Sequence, residues 1–118
     1  AGGLSAMRAL IALPSRPTAV FCANDLLALG AHKACVAAGV ALPHDLSILG
    51  CDDIEMDTLV TPELTTISTP QRELGARAAR LLLKQIEGGE SQPPAAQTLP
   101  VKLVPRGTTG PVPREAGA

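Results

Sequence analysis

Two short apolar runs end in polar residues whose chemistry suits a small polar ligand: Val20-Phe21-Cys22-Ala23-Asn24-Asp25 and Ile48-Leu49-Gly50-Cys51-Asp52-Asp53. Between them lies a helix-length, Ala- and Leu-rich segment, so the stretch reads strand, helix, strand, with both strands buried on two faces of a parallel sheet. Ligands of open parallel sheets bind at the carboxyl ends of the strands, and neighbouring strands lie only about 4.8 Å apart. Asn24 and Asp52 are therefore expected side by side on one rim, an amide and a carboxylate able to donate and accept hydrogen bonds together.

The Asp52-Asp53 pair also invites an enzymatic reading, because paired carboxylates hold magnesium or carry out acid/base steps. A phosphate-accepting receiver site needs a further strand-end Asp and a Lys, and neither stands at an appropriate strand end here. Asp53 reads more simply as a cap for the turn that follows. His32, in a helix, and His44, in a loop, have no partner at ligand spacing, whereas metal sites need three or four ligands; both read as surface or interface histidines. Cys22 and Cys51 read as core residues with no activating base or cation nearby. The chain has no Gly-rich phosphate loop, no Gly-x-Ser-x-Gly elbow and no HExxH. No catalytic residue, metal or cofactor is assigned, and the protein reads as non-enzymatic.

The elements that must position these residues come from a chain of 118 residues, 46% hydrophobic, with a formal net charge of -1. That is enough for one domain with a real core. Phe21 is the only aromatic residue, so the core must be built from Ala, Leu, Val and Ile, and the chain has no Trp or Tyr to stack on a sugar or a base. Scattered basic residues give no electrostatic footprint for nucleic acid in this segment. Three cysteines without CxxC spacing suggest free thiols and a reducing cytoplasm. Neither a signal peptide nor a membrane span is visible, and a start without Met that opens directly into a helix pattern looks like part of a longer protein.

Leu4, Met7, Leu10 and Leu13 predict a helix over residues 4–13, closed by Pro14. A strand is expected over 18–23, and Asp25 can cap a helix over 26–38 that stops at Gly39. A strand over 47–51, a turn or short helix over 54–60 and a β-branched strand over 64–69 follow. After Pro70 comes the clearest amphipathic helix, with Leu74, Ala78, Leu81, Leu82 and Ile86 on one stripe, ending at Gly88-Gly89. Residues 90–96 form a Pro-containing loop, 99–104 a last strand, and the end a Pro/Gly-rich tail. The 26–38 helix is apolar nearly all round, interrupted only by His32 and Lys33; one face can cover the sheet and the other is expected to meet another subunit.

These residues, with Ala28-Leu29-Gly30-Ala31, Pro62-Glu63-Leu64-Thr65-Thr66-Ile67 and Leu74-Gly75, closely resemble the effector-sensing domain of LacI/GalR-type bacterial transcription regulators. The resemblance covers about residues 4–110 and rests on several ordered motifs. It implies an α/β, parallel-sheet, periplasmic-binding-protein-like fold of two lobes around a cleft. This chain would be the C-terminal part: residues 1–110 most of one lobe, with a helix and strand after Pro70 crossing to the other, and 111–118 a flexible tail. The run Leu103-Val104-Pro105-Arg106-Gly107, which resembles a protease-cleavable linker, is accounted for by the family as well.

Carried over residue by residue, the resemblance makes Asn24 and Asp52 hydrogen-bonding partners of an effector such as a sugar. Leu4 falls near a position often aromatic, and Gln71 at a cleft position that is apolar or aromatic in some relatives; both depart from a pyranose-stacking site. Dimer contacts are implied for the 26–38 helix, through Leu26, Leu29 and Lys33, and for the loop at Leu59 and Val60. Operator DNA would be bound only by an N-terminal helix-turn-helix head outside this chain. The alternative is the sugar-binding protein of a transporter, which shares the fold and the strand-end Asn and Asp.

Overall fold

The computed structural model describes residues 2–88 and 96–113. The elements follow in the order α1 (Gly2–Ile11), β1 (Ala19–Phe21), α2 (Asp25–Ala38), β2 (Ser47–Asp52), a 3-10 turn (Glu55–Thr58), β3 (Thr65–Ser68), α3 (Gln71–Gly88) and β4 (Lys102–Val104). All the expected helices and strands are present, with ends shifted by a few residues. Residues 89–95, most of the expected Pro-containing loop, and 114–118 of the expected tail lie outside the described residues.

The start of α2 corrects one expectation. Asn24, not Asp25, is the N-cap: its extended backbone (φ -153, ψ 167) lets Oδ1 accept the Leu27 N–H at 2.9 Å, which satisfies one of the free donors of the first turn. Asp25 is the first helical residue and is wholly buried. At the other end Gly39 adopts the left-handed conformation, φ 69, where glycine carries no steric penalty. Small residues dominate the buried side of α2, namely Ala28, Ala31, Ala34 and Cys35, and they admit both the sheet and α1. Contact between the helices is close enough that a Cβ on Gly3 would overlap the Leu27 carbonyl, and one on Gly30 would lie 2.9 Å from the Leu4 backbone nitrogen.

The sheet has the order β1-β2-β3-β4. β1 and β2 are parallel with Ala19 opposite Ser47 and Phe21 opposite Leu49, and β2 and β3 are parallel from Leu49–Thr65 to Asp52–Ser68. β4 runs antiparallel to β3, so the sheet is mixed rather than all-parallel. The strand expected to cross to another lobe instead returns beside β3, and only α3 leaves. Behind β4, Thr108 fastens the returning chain: its hydroxyl donates to the Ile48 carbonyl at 2.8 Å and accepts the Thr65 N–H at 2.9 Å.

One expectation about burial fails. β2 is buried at alternate positions, Ile48 and Gly50 among them, but β1 is an edge strand with Ala19 and Phe21 exposed, Phe21 at 61%. Its periodicity reads as a two-face strand, yet only α1 and α2 cover it here, from one side. The core is therefore one layer between sheet and helices: Met7, Ala28, Ala31, Cys35, Leu46, Ile48 and Leu64. His32, expected at the surface or an interface, is buried within the lobe, and its Nε2 finds no hydrogen-bond partner among the described residues. α3 buries no residue, and Leu74, Leu82, Leu83 and Ile86 are all more than half exposed. The molecule is consequently elongated, 66 × 29 × 24 Å with a radius of gyration of 18.9 Å, against about 13–14 Å for a compact chain of this length.

The helix contact gives a prediction whose sign opposes propensity. Gly→Ala inside a helix ordinarily stabilises by about 1 kcal/mol; at Gly30 the added methyl presses on the α1 backbone, and overpacking of this kind costs about 1–3 kcal/mol. Gly30→Ala should lower the urea midpoint, and a raised midpoint would show that α1 can move away freely.

Candidate functional site

The candidate site grows from the exit of β2. Asp52 has φ 129 and Asp53 φ 60, two consecutive non-glycine residues in the left-handed region. Each such residue costs on the order of 1–3 kcal/mol and persists only where its surroundings impose it. What imposes it is a polar network beneath the turn. The buried Asp25 carboxylate accepts the Asp53 N–H at 2.6 Å and the Ile54 N–H at 3.3 Å through Oδ2, and the Thr66 hydroxyl at 2.6 Å through Oδ1. Gly50 makes room for it, since a Cβ there would overlap Asp25 Oδ1.

Arg106 closes the network from the other side. Its Nη2 binds Asp53 Oδ1 at 2.6 Å and its Nη1 donates to the Leu64 carbonyl at 2.9 Å. This hydrogen bond, more than any other cause, holds the Asp53 carboxyl below the usual carboxylate range. Asp53 is thus an ion-pair partner, not the turn cap that its position suggests. Asp57 lies deeper, fully buried, 3.8 Å from Arg106 Nη1, and neither of its oxygens finds a geometric hydrogen-bond partner among the described residues. Burial first, and then the neighbouring Asp25 carboxylate, push its pKa up to about 7, against the opposing pull of Arg106. The thiols of Cys22 and Cys51 are pushed up as well, mainly by burial. Cys51 is only half-buried, whereas Cys35 in α2 is fully buried.

Above this network opens a cavity of about 710 Å³ where β2 and β3 end and α3 begins; it is lined by Asp52, Asp53, Ser68, Thr69, Gln71 and Arg80, among others. Carboxylates, hydroxyls, an amide and a guanidinium offer both donors and acceptors, which suits a polyhydroxyl compound. Asp52 and Gln71 meet in this cavity. Asn24 and Asp52 each lie three residues beyond the registered pair Phe21–Leu49, so the parallel strands carry both residues past the same end of the sheet. Asn24 does not line the cavity, however, and its Oδ1 is committed to the helix cap, which leaves its NH2 as the group able to serve a ligand. Leu4 sits in the first turn of α1, packed on the core beside α2, and does not line the cavity either.

Among the proposed dimer residues, Leu26, Lys33 and Leu59 are exposed, and Leu29 and Val60 are half-buried. Leu26, Leu29, Lys33 and Val36 recur at helical spacing, a stripe of α2 turned away from its buried side. Sequence reasoning missed Asp25, Asp57 and Arg106 as members of the site. For Asp25 the Asn-Asp dipeptide before the helix was a signal with two readings; for Arg106, 53 residues from Asp53, there was no local signal. No group of three or more His, Cys, Asp or Glu side chains among the described residues is arranged to hold a metal ion.

A mixed sheet with helices, a polar cavity at the strand exits and a helix leaving the lobe together define a ligand-binding lobe of the periplasmic-binding-protein type. The family model described as periplasmic binding protein-like domain matches residues 2–109, and the chain belongs to that family, in its branch of LacI-type regulators. It is 41% identical over 107 residues to the ribose operon repressor of Escherichia coli strain K12, covering 91% of this chain and 32% of that protein. It is also similar to a LacI family transcriptional regulator of Enterococcus faecium solved with bound ribose, with a TM-score of 0.79 and 38% identity over 93% of this chain and 40% of that one. The lac repressor dimer bound to operator and the anti-inducer ONPF aligns with a TM-score of 0.79 and 36% identity, over 91% of this chain and 37% of that one. The chain spans about a quarter to a third of the length of the curated relatives it matches.

The Asp57 shift gives a pH prediction. The folded state holds its proton to about pH 7, while the unfolded chain releases it near pH 4. The folded state binds the extra proton between these values, so stability falls as pH rises from about 4 to about 7 and levels off above. Asp57→Asn removes the group that must lose a proton beside Asp25. Its advantage over wild type should be small at pH 4 and grow to on the order of 1–3 kcal/mol at pH 8 in denaturant titrations; a difference that does not change with pH would remove Asp57 from the network.

Proposed function

We propose that this chain is the effector-sensing lobe of a LacI-type transcription regulator and that it binds a small polyhydroxyl metabolite, of the size and chemistry of ribose, through the rim at Asp52. The observation that carries this reading is the strained Asp52-Asp53 turn, held over buried charge at the mouth of a polar cavity: strain of this kind persists where it serves a site. Asp52 accepts ligand hydroxyls, Gln71 lines the cavity with it, and Asn24, outside the cavity, is left to donate through its NH2 to a ligand that extends past the rim; Leu4, packed on the core, takes no part. The ribose in the Enterococcus faecium relative agrees in size and chemistry.

The lobe works by binding alone, without a cofactor or a catalytic step. Effector bound between this lobe and a second one shifts the equilibrium between two lobe arrangements, through its different affinity for each. Coupling of this kind, typically about 1–3 kcal/mol, would alter operator affinity through a DNA-binding head outside this chain. Two subunits would pair through Leu26, Leu29 and Lys33 of α2 with Leu59 and Val60; the exposed apolar stripe on α2 supports this, and the lac repressor relative is a dimer bound to operator. The setting is the cytoplasm, where operator DNA lies, and no described helix is long and apolar enough to cross a membrane. The transporter alternative is less well supported, because the relatives at this similarity are named repressors and regulators.

Calorimetric titration of the intact protein with ribose tests the site. Asp52→Ala removes a charged acceptor and leaves ligand hydroxyls unpaired, which should cost on the order of 1.5–3 kcal/mol, or roughly ten- to a hundredfold in affinity. Operator binding without effector should survive, and wild-type affinity in the variant would refute the assignment. Asn24→Ala should weaken binding less and also cost about 0.5–2 kcal/mol of stability through the lost cap. Leu26→Lys, at a side chain 64% exposed in the monomer, should shift sedimentation toward monomer without lowering the melting temperature of the lobe; an unchanged dimer would place the interface elsewhere.

A further inference from the structure

The turn that carries Asp52 is held from behind by two side chains that do not line the cavity. Asp25, at the start of α2, accepts the backbone N–H groups of Asp53 and Ile54. Arg106, two residues past β4, holds the Asp53 carboxylate with one nitrogen and the Leu64 carbonyl with the other. Its fork therefore ties the β2 exit to the start of β3. With φ at 129 and 60 in Asp52 and Asp53, a turn released from these partners relaxes toward the extended region that L-residues prefer. That rotation moves the Asp52 side chain away from its place on the rim. The two holds are of different kinds: one grips the main chain through its N–H groups, the other grips the neighbouring side chain.

We propose that Asp25 and Arg106 are positioning residues for Asp52, clamping the strained turn from its two sides so that effector affinity is set in part by two residues that never touch the effector. This rests on Asp52 being the effector's acceptor, as argued above. A carboxylate or guanidinium fixed by buried partners keeps a binding group in its productive geometry before the ligand arrives, and affinity gained this way comes from preorganisation rather than from contact. Asp25 is wholly buried, so solvent does not dilute its hydrogen bonds; the Arg106–Asp53 pair is part-buried, with side chains 15% and 27% exposed, and is screened only in part.

The test uses the intact protein with three variants, Asp25→Asn, Arg106→Met and Arg106→Lys, and two measurements: ribose affinity by calorimetry and hydrogen exchange at the Asp53 and Ile54 amides by NMR. Asp25→Asn and Arg106→Met should each weaken ribose about tenfold or more. They should also speed exchange at those two amides while the amides of α1 and α2 keep wild-type protection. Arg106→Lys keeps the charge toward Asp53 but cannot also span to the Leu64 carbonyl, and should recover part of both losses. A general structural role would instead lower protection across the lobe in proportion to melting temperature. Wild-type affinity together with wild-type protection in Arg106→Met overturns the proposal. If Asp25→Asn does not fold, the two Arg106 variants decide alone. If wild-type protein does not bind ribose, the reading of Asp52 as a sugar acceptor fails; amide exchange then decides the clamp by itself, selective loss sustaining it and unchanged protection overturning it.

Discussion

The Asp25 carboxylate, sealed from solvent and surrounded by the N–H groups of Asp53 and Ile54 and the hydroxyl of Thr66, is the constraint on which the rest of this lobe depends. An ionised carboxyl without partners would be costly in such a place. Here the donors come from the exits of β2 and from β3, so satisfying the charge requires α2, β2 and β3 to take their mutual positions. The requirement reaches into the sequence at two glycine-sized or hydroxyl-bearing positions. Gly50 is small because a side chain there would occupy the space of the carboxylate, and Thr66 carries the oxygen that faces it.

The strain at Asp52 and Asp53 follows from the same arrangement. The chain leaves β2 in a conformation that L-residues avoid because Asp25 and Arg106 offer partners only to a turn of that shape. Network and cavity are two sides of one object: below the turn, charge is buried and paired; above it, a carboxylate is presented to solvent and to a polar cavity of about 710 Å³. Asp57 adds a further property, since a buried carboxyl beside another binds a proton into the neutral range, and the network's net charge then depends on pH near neutrality.

The packing on the opposite side of the lobe obeys a different rule. α1 and α2 meet through Gly3, Gly30 and a row of alanines, so the helices approach backbone to backbone and little volume remains for large side chains. This is how a chain with a single aromatic residue closes its core. It also bears on which surfaces stay open: Leu26 and Val36 on the outer stripe of α2, Phe21 on the edge strand β1, and Leu74, Leu82, Leu83 and Ile86 of α3 are all more than half exposed.

Local signals were enough for much of this. The strand-helix-strand reading, the stop at Gly39, the breaks at Pro14 and Pro70 and the parallel pairing of the first two strands all follow from periodicity, capping chemistry and the parallel crossover, each of which acts within a few residues or through one connection. What only the tertiary structure decided was the ownership of charge and the exposure of faces. Asn24 and Asp25 are both good capping residues, and the choice between them fell to Asn24 because the carboxylate had distant donors to serve. Asp53 reads as a turn cap until Arg106 arrives from 53 residues away. β1 has the apolar run of a doubly covered strand but lies at an edge, and the last strand runs antiparallel because the chain re-enters the sheet from the far end of α3. Partners so distant along the chain leave no local periodicity to read; only the folded arrangement, which brings the donors of Asp53, Ile54 and Thr66 to Asp25 and Arg106 to Asp53, selects them.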